Sequence, residues 1–293
     1  MSSNPHVAFL FPGQGRIPES LPSNQDQFSH LLTLTQEAGL LLEHWIESEQ
    51  TDRLTQTDAA QPALLLDSIS REQLLRDAGW TPTCVAGHSL GEYAALVSAG
   101  VLTDLNAMKS VIERGRLMNG IAGTMAAILK LDLDTVAALC ADTQAVVANH
   151  NAPTQIIVSG PDTAVNIIMQ RAEAKGGKSI PLQVSGPFHS PLMEPAQQAL
   201  SQLLMSLEFL EPTLPVISGV SGRVETEASA LRELLCRQMT SSVHWVDVTQ
   251  ELEGLGVEIA IEVGSGDVLT RLGRRSDSSI RFLTFKEAIH EEL

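Results

Sequence analysis

The sequence has few cysteines and no long apolar run. The three cysteines of the 293-residue chain, Cys84, Cys140 and Cys236, are widely spaced and odd in number, which fits neither a disulfide framework nor a paired-cysteine metal site. We therefore expect reduced, mostly structural thiols. The longest apolar stretches, residues 62–66 and 95–102, are far shorter than the roughly 18 to 20 residues that cross a bilayer. No transmembrane helix is expected.

Positive charge is also scarce. The chain has 19 Lys and Arg against 35 Asp and Glu, for a formal net charge of −16. A field of this sign repels polyanions, so we expect no nucleic-acid or membrane binding. An anionic partner would need a local basic patch. The best candidate consists of Arg271, Arg274, Arg275 and Arg281. These residues could equally be an ordinary solvated surface.

The N-terminal segment does not resemble a secretory signal. It has no basic start, and its apolar run ends at Pro12. We therefore expect a cytoplasmic protein. With 43% hydrophobic and 18% charged residues, the composition is that of a folded globular chain that can bury a sizeable core.

Strand and helix patterns alternate along the first part of the chain. Short apolar runs bounded by breakers predict buried strands at residues 6–15 and 83–89. Helical patterning covers residues 28–46, 61–78 and 90–100. The pattern predicts an α/β domain.

Residues 122–186 have a different pattern, with strands and helices in the order β-α-β-β-α-β. This order is typical of a ferredoxin-like unit. We therefore expect a small subdomain at 122–186, inserted into a larger domain made of residues 1–121 and 187–293. Such an insertion would return His189 to the large domain, where it could meet Ser89.

The stretch GHSLG places Ser89 between a predicted strand and a predicted helix. A sharp turn there would expose the Ser89 hydroxyl and put the Leu90 N–H beside it. A serine nucleophile needs a base. His88 should point away along the strand, whereas His150 and His189 both lie in or beside the predicted insert. An ordinary turn serine remains the alternative.

Two further features could complete an acyl-transfer site. The PGQG turn could bring Gln14 to the same sheet edge as a second oxyanion donor, although it could also be a purely structural turn. Arg114 lies on an otherwise apolar helix face near Met118. A guanidinium there could hold a carboxylate bidentately, but it could equally be exposed.

Taken together, the motifs resemble the malonyl-CoA:acyl carrier protein transacylases and the related acyltransferase domains of polyketide synthases. The resemblance covers nearly the whole length and rests on FPGQG (11–15), AQPALL (60–65), GHSLGEYAAL (87–96), ERGRLM (113–118), GTMAAI (123–128), NxPxQ..VSG (151–160), PFHSPLM (187–193) and IEVGSGDVLTRL (261–272).

The resemblance implies an α/β-hydrolase-like core with a ferredoxin-like insert. It implies Ser89 as nucleophile, His189 as base, Gln14 and Leu90 as oxyanion donors, and Arg114, Met118 and Phe188 as the acyl-binding residues. The carbonyl of Ser241 would hold the histidine in place of an acid. The implied partners are malonyl-CoA and an acyl carrier protein, with no metal or other cofactor, and we expect a monomer.

The chain departs from the family pattern at several points. Arg16 follows GQG where the family has serine, and the loop after it is shortened. Ser265 and Asp267 replace proline and lysine, and Ser242 replaces a proline. Because of these changes, the sequence does not decide the shape of the active-site entrance, the identity of the carrier protein or the pathway. An acyl-thioester hydrolase, a malonate decarboxylase transferase subunit and a noncatalytic scaffold remain as alternatives.

Overall fold

A computed structural model describes residues 5–18, 20, 25–48 and 51–291. The strands are β1 (Val7–Phe11), β2 (Cys84–Gly87), β3 (Thr124–Leu129), β4 (Val146–Ala152), β5 (Gln155–Gly160), β6 (Lys178–Pro181), β7 (Val216–Ile217), β8 (Val224–Glu225), β9 (Ile259–Glu262) and β10 (Arg281–Thr284).

The helices surround these strands. They are α1 (Ser29–Glu37), α2 (Leu42–Glu47), α3 (Thr51–Leu54), α4 (Thr57–Asp77), α5 (Gly91–Ser98), α6 (Asp104–Met118), α7 (Leu133–Cys140), α8 (Asp162–Ala174), α9 (Glu194–Ser206), α10 (Ala228–Arg237), α11 (Trp245–Gly254), α12 (Val268–Gly273) and α13 (Phe285–Ile289). Short 3₁₀ turns span Gln25–Phe28, Pro191–Met193 and Gln238–Thr240. None of the described helices is long and apolar enough to cross a bilayer.

A six-stranded sheet in the order β10-β9-β1-β2-β7-β8 forms the centre of the larger unit. Its pairs are parallel except β7 with β8. Every residue of β1 and β2 is buried, as expected for strands covered on both faces. Alternate residues of β1 join different cores: Phe9 and Phe11 face one side, and Ala8 and Leu10 face the other.

A second, four-stranded sheet comes entirely from residues 124–181. Its order is β4-β5-β3-β6, and all its pairs are antiparallel. Side chains of α7 and α8, including Val136 and Val165, pack against one face of this sheet and bury it. The element order matches the β-α-β-β-α-β prediction.

Backbone hydrogen bonds join the small sheet to the loop before α11. The N–H of His150 donates to the Val243 carbonyl at 2.8 Å, and the Val243 N–H donates to Ala148 at 2.9 Å. The Ser242 hydroxyl donates to the Val147 carbonyl at 2.6 Å. These bonds position residues 238–244 against the insert.

Two predicted helix bounds were wrong. The pattern over 28–46 forms two helices, because Gly39 adopts a left-handed φ of 79° and ends α1. Helix α4 begins at Thr57, before the predicted start at Gln61.

Candidate active site

Ser89 occupies a sharp turn between β2 and α5. Its φ is +52°, in the left-handed region that costs a non-glycine residue about 1 to 3 kcal/mol. The turn needs the glycines on both sides. A Cβ on Gly91 would lie 2.0 Å from the Phe11 carbonyl oxygen, and one on Gly87 would lie 2.2 Å from the Glu92 nitrogen. Strain concentrated at a serine points to a functional role for its hydroxyl.

His189 follows the insert in the chain, and its ring contacts the Ser89 hydroxyl. Its Nε2 lies 2.8 Å from Ser89 Oγ, although the two residues are 100 positions apart. The other ring nitrogen, Nδ1, lies 2.9 Å from the Ser241 carbonyl, the predicted holder, and 3.1 Å from the Gln238 carbonyl, which was not predicted. Two carbonyl acceptors place the proton on Nδ1, which leaves the Nε2 lone pair facing the serine hydroxyl.

The His189 imidazole is uncharged at neutral pH. It is only 4% exposed. Burial first, and then the positive charge of Arg114, lower its pKa to about 3. The ring is therefore in the neutral form that a general base requires, while the same shift lowers its basicity.

The other two histidines considered from the sequence have different partners. His88 Nε2 lies 2.9 Å from Asn151 Oδ1, and its ring packs against Trp245. The backbone N–H of His150 donates to the loop before α11, and burial lowers the pKa of its ring while the nearby charge of Asp247 opposes that shift. The described side chains that hydrogen-bond Ser89 Oγ are His189 and Arg114.

Arg114 is buried behind Ser89, with 2% of its surface exposed. Its Nη2 lies 3.2 Å from Ser89 Oγ and 3.2 Å from Gln238 Oε1, and its Nη1 donates to Gln61 Oε1 at 2.6 Å. Its Nε is buried and has no hydrogen-bond partner among the described residues. The guanidinium is thus held by uncharged acceptors, and the buried phenol of Tyr93 lies close enough to act on its pKa.

A cavity of about 280 Å³ opens in front of Ser89 and His189. It lies between the two sheets, since both contribute to its wall. The lining includes Gln14, Arg16, Ser89, Phe188 and His189, together with Met125, Ala127, Ile157, Leu182 and Val184 from the β3 to β6 region. The apolar side from the small unit would accommodate an extended, largely uncharged chain.

Of the other predicted site residues, Gln14 and Phe188 line this cavity, whereas Leu90, Arg114 and Met118 are not among its lining residues. Gln14 is held by a 2.8 Å hydrogen bond from Thr57 Oγ1 to its side-chain oxygen. Leu90 directly precedes the first residue of α5, so its N–H lies at a helix N-terminus. Met118 is buried beside Gln61, whose Nε2 lies 3.4 Å from the Met118 sulfur. The oxyanion roles of Gln14 and Leu90 stay predictions.

The departures at Ser265 and Asp267 have partners within the chain. Ser265 Oγ lies 2.9 Å from both oxygens of the buried Asp67 and accepts from Arg71 at 2.9 Å. Asp267 accepts from Arg271 at 2.7 Å. Both departures therefore belong to ion-paired clusters within the chain.

The predicted C-terminal basic patch is largely neutralised. Only Arg275 lacks an acidic side-chain partner in the described part of the patch; the pairs are Arg271 with Asp267, Arg274 with Glu287, and Arg281 with Glu291. A carboxylate beside each guanidinium weakens the positive field, so the patch is less basic than the sequence suggested.

Three residues around Arg114 received no role from the sequence. They are Gln61 on α4, Glu92 on α5 and Gln238 after α10, and all three are buried. The position of Gln61 could have been noticed in the sequence, because a polar residue within an apolar helical stretch indicates a buried hydrogen-bonding role. Glu92 belongs to the GHSLGEYAAL motif and Gln238 to none of the quoted motifs, and only the tertiary structure shows that they meet. Within the described ranges, no group of three or more His, Cys, Asp or Glu side chains could hold a metal ion.

The chain matches the acyl transferase domain family over residues 30–282. It is 37% identical to the malonyl CoA-acyl carrier protein transacylase of Bacillus subtilis, covering 96% of this chain and 93% of that protein. The Escherichia coli K12 protein of the same name is 36% identical over 92% of each chain. The chain belongs to the malonyl-CoA:acyl carrier protein transacylase family.

Solved structures of transacylases have the same fold. The Coxiella burnetii malonyl CoA-acyl carrier protein transacylase superposes with a TM-score of 0.89 at 31% identity, covering 97% of this chain and 95% of the other. A malonyl-transacylase solved with its type II PKS acyl-carrier protein gives 0.88 at 31% identity, with 95% of each chain covered. Ser89, His189 and Arg114 therefore lie in a fold that this chain shares with solved transacylases over at least 95% of its length.

Proposed function

We propose that this protein transfers a malonyl group from malonyl-CoA to the phosphopantetheine thiol of an acyl carrier protein, in fatty-acid or polyketide synthesis. The observation that carries the proposal is the convergence of two groups on Ser89 Oγ: the uncharged His189 ring at 2.8 Å and the buried Arg114 guanidinium at 3.2 Å. The first supplies a base, and the second supplies a partner for a free acid. The whole-length similarity to malonyl transacylases supports the same reaction.

In the first half-reaction, the malonyl-serine ester forms. His189 Nε2 takes the Ser89 proton while Oγ attacks the thioester carbonyl, and the Leu90 and Gln14 N–H groups stabilise the resulting oxyanion. When the intermediate collapses, the carbon–sulfur bond breaks. The departing thiolate takes the proton from His189 and leaves as CoA.

In the second half-reaction, the carrier takes the place of CoA. Its phosphopantetheine thiol gives a proton to His189 and attacks the ester carbonyl. The carbon–oxygen bond then breaks, and Ser89 Oγ recovers the proton. The proton released by Ser89 leaves on CoA, and the carrier thiol returns one to Ser89, both through His189, so we propose that the reaction needs no cofactor.

The acyl preference would come from Arg114, with Met118 and Phe188 forming nearby apolar walls. A malonyl carboxylate could engage the guanidinium through Nη2, which lies 3.2 Å from Ser89 Oγ. An acetyl group would leave that buried charge without an anionic partner. Carboxylate pairing would therefore favour the malonyl transition state.

We also propose the finer fold assignment made from the sequence: an α/β-hydrolase-like core of residues 1–121 and 187–293 with a ferredoxin-like insert at 122–186. The strand order β4-β5-β3-β6 with antiparallel pairing supports the insert. A monomeric state and a cytoplasmic location stay predictions, as does the absence of nucleic-acid and membrane binding.

The test is acyl loading followed by intact mass spectrometry. Incubation with malonyl-CoA should add one malonyl group to the wild type and none to Ser89→Ala, and a holo acyl carrier protein should then remove it. An adduct that persists in Ser89→Ala would reject the serine mechanism. Sustained release of CoA without carrier protein would instead identify an acyl-thioester hydrolase.

A further inference from the structure

Gln238 touches each of the three principal groups of the site. It follows α10 and is 1% exposed. Its backbone carbonyl lies 3.1 Å from His189 Nδ1, its Nε2 donates to the Ser89 carbonyl at 2.9 Å, and its Oε1 accepts from Arg114 Nη2 at 3.2 Å. A single side-chain amide therefore bonds both the backbone of the nucleophile residue and the guanidinium.

The same amide also contacts a buried acid. Gln238 Nε2 donates to Glu92 Oε2 at 2.6 Å, and the other Glu92 oxygen accepts from Ser218 at 2.6 Å. The order in space is thus guanidinium, amide, carboxyl. The amide can adopt only this orientation, because a flipped amide would turn its N–H donors toward the donors of Arg114 and its oxygen toward the Glu92 carboxyl.

A direct pair between Arg114 and Glu92 would have a clear cost for substrate binding. An internal carboxylate would neutralise the guanidinium and occupy its donors, so the substrate acid would have to displace it. An amide is uncharged and a weaker acceptor. It holds the guanidinium in place without providing the charge that the substrate is to bring.

We propose that Gln238 is a positioning residue that acts as a neutral spacer: its side-chain amide separates Arg114 from Glu92 and so reserves the guanidinium for an acyl group that bears a free acid. The inference rests on the proposed function, because it assumes malonyl loading at Ser89. It assigns acyl selectivity to the side chain of Gln238, while the backbone carbonyl of Gln238 serves His189 whatever side chain is present.

The test compares the rates at which Ser89 is loaded from malonyl-CoA and from acetyl-CoA, measured by rapid quench and intact mass. In Gln238→Glu the new carboxylate lies directly beside Arg114. The substitution also removes the hydrogen bond to the Ser89 carbonyl, which affects both rates, but malonyl loading should fall at least about tenfold more than acetyl loading, since only the malonyl group needs the guanidinium. A merely structural role would lower both rates together.

A charge-swapped variant keeps the inference testable if Gln238→Glu folds poorly. The double variant Glu92→Gln with Gln238→Glu has the same number of carboxyl groups, with one moved a step toward Arg114, and should lose the malonyl preference in the same way. Glu92→Gln alone should change both loading rates by one factor and keep the preference. A wild-type malonyl to acetyl ratio in the swapped variant, or equal losses of both rates, would overturn the spacer.

The wild type separates this inference from the proposed function. A wild-type protein that loads malonyl and acetyl groups equally would remove the carboxylate role of Arg114, and the spacer with it. A wild type that prefers malonyl, together with variants that keep this preference, would overturn the spacer alone and leave the malonyl transfer intact.

Discussion

His189 is a residue whose charge is set by its surroundings. Its pKa is lowered to about 3, first by burial and then by Arg114, whereas an exposed histidine titrates near 6.5. The ring therefore remains a base at pH values where an ordinary histidine is protonated. The same shift has a cost for stability: as pH falls from about 6.5 toward 3, the unfolded chain binds a proton that the folded ring excludes, so the folded state loses stability over that window.

The first prediction concerns the pH dependence of loading. The second-order rate of malonyl loading at Ser89 should keep its plateau below pH 6, with its acid limb well below the ordinary histidine pKa, because the free enzyme holds His189 unprotonated. Rapid-quench loading between pH 4.5 and 8, over the range in which circular dichroism shows a folded chain, measures the limb. An acid limb at about 6.5 would contradict the charge state assigned to His189.

The second prediction concerns Arg114. Arg114→Ala should lower malonyl loading by about ten- to a hundredfold, and acetyl loading by much less, because only the malonyl group loses a charged partner. Arg116→Ala is the matched control, since Arg116 lies on the same helix but is exposed and paired with Glu113. Equal losses of both substrates in Arg114→Ala would remove the carboxylate role.

At the scale of elements, the turn between β2 and α5 depends on close backbone contact. Gly91 has no room for a side chain because the carbonyl of Phe11, the last residue of β1, lies against it. The same contact holds α5 at the end of the sheet, so the N-terminus of the helix faces the cavity. The geometry of the serine turn is therefore a property of three packed elements.

The third prediction follows from that contact. Gly91→Ala should reduce the free energy of unfolding by about 3 kcal/mol, because its Cβ would overlap a carbonyl oxygen that the sheet holds in place. Gly254→Ala, at the end of α11 with open space around it, should raise stability by up to about 1 kcal/mol. Urea unfolding measures both variants, and similar effects in the two would contradict the packing argument.

At the scale of the whole molecule, the cavity exists because the two sheets face each other. The larger unit contributes Ser89 and Gln14, and the smaller contributes Ile157 and Val184. Main-chain bonds between β4 and the loop before α11 hold the two units together. An acyl chain bound in the cavity would contact both.

The fourth prediction tests this cavity as the path of the substrate. Val184→Trp would fill the half-buried wall without touching the serine turn, and should lower malonyl loading from CoA by at least about tenfold, mainly through a raised KM. Gln183→Trp adds the same ring at the neighbouring exposed position, which does not line the cavity, and should change loading less than about twofold. Equal effects of the two substitutions would place the path elsewhere.

Local sequence patterns were sufficient for the elements that carry the site. The strands β1 and β2 were predicted because each is a short apolar run ended by glycine or proline, and the helix after Ser89 because it starts at a glycine turn and ends at Gly100. The same reasoning missed the break at Gly39, since a single glycine within a helical pattern does not by itself decide between a tolerated residue and a helix end.

The sequence by itself determined the order of the elements, the serine turn and the candidate base, because each follows from the apolar period and breaker residues nearby or from the family motifs. Only the tertiary structure decided which partners these residues have: the two carbonyls that hold His189, and the neutral amide between Arg114 and Glu92. Those contacts join segments 49 to 146 residues apart. Their geometry is set by how the two sheets and the surrounding helices pack, and no local pattern encodes it.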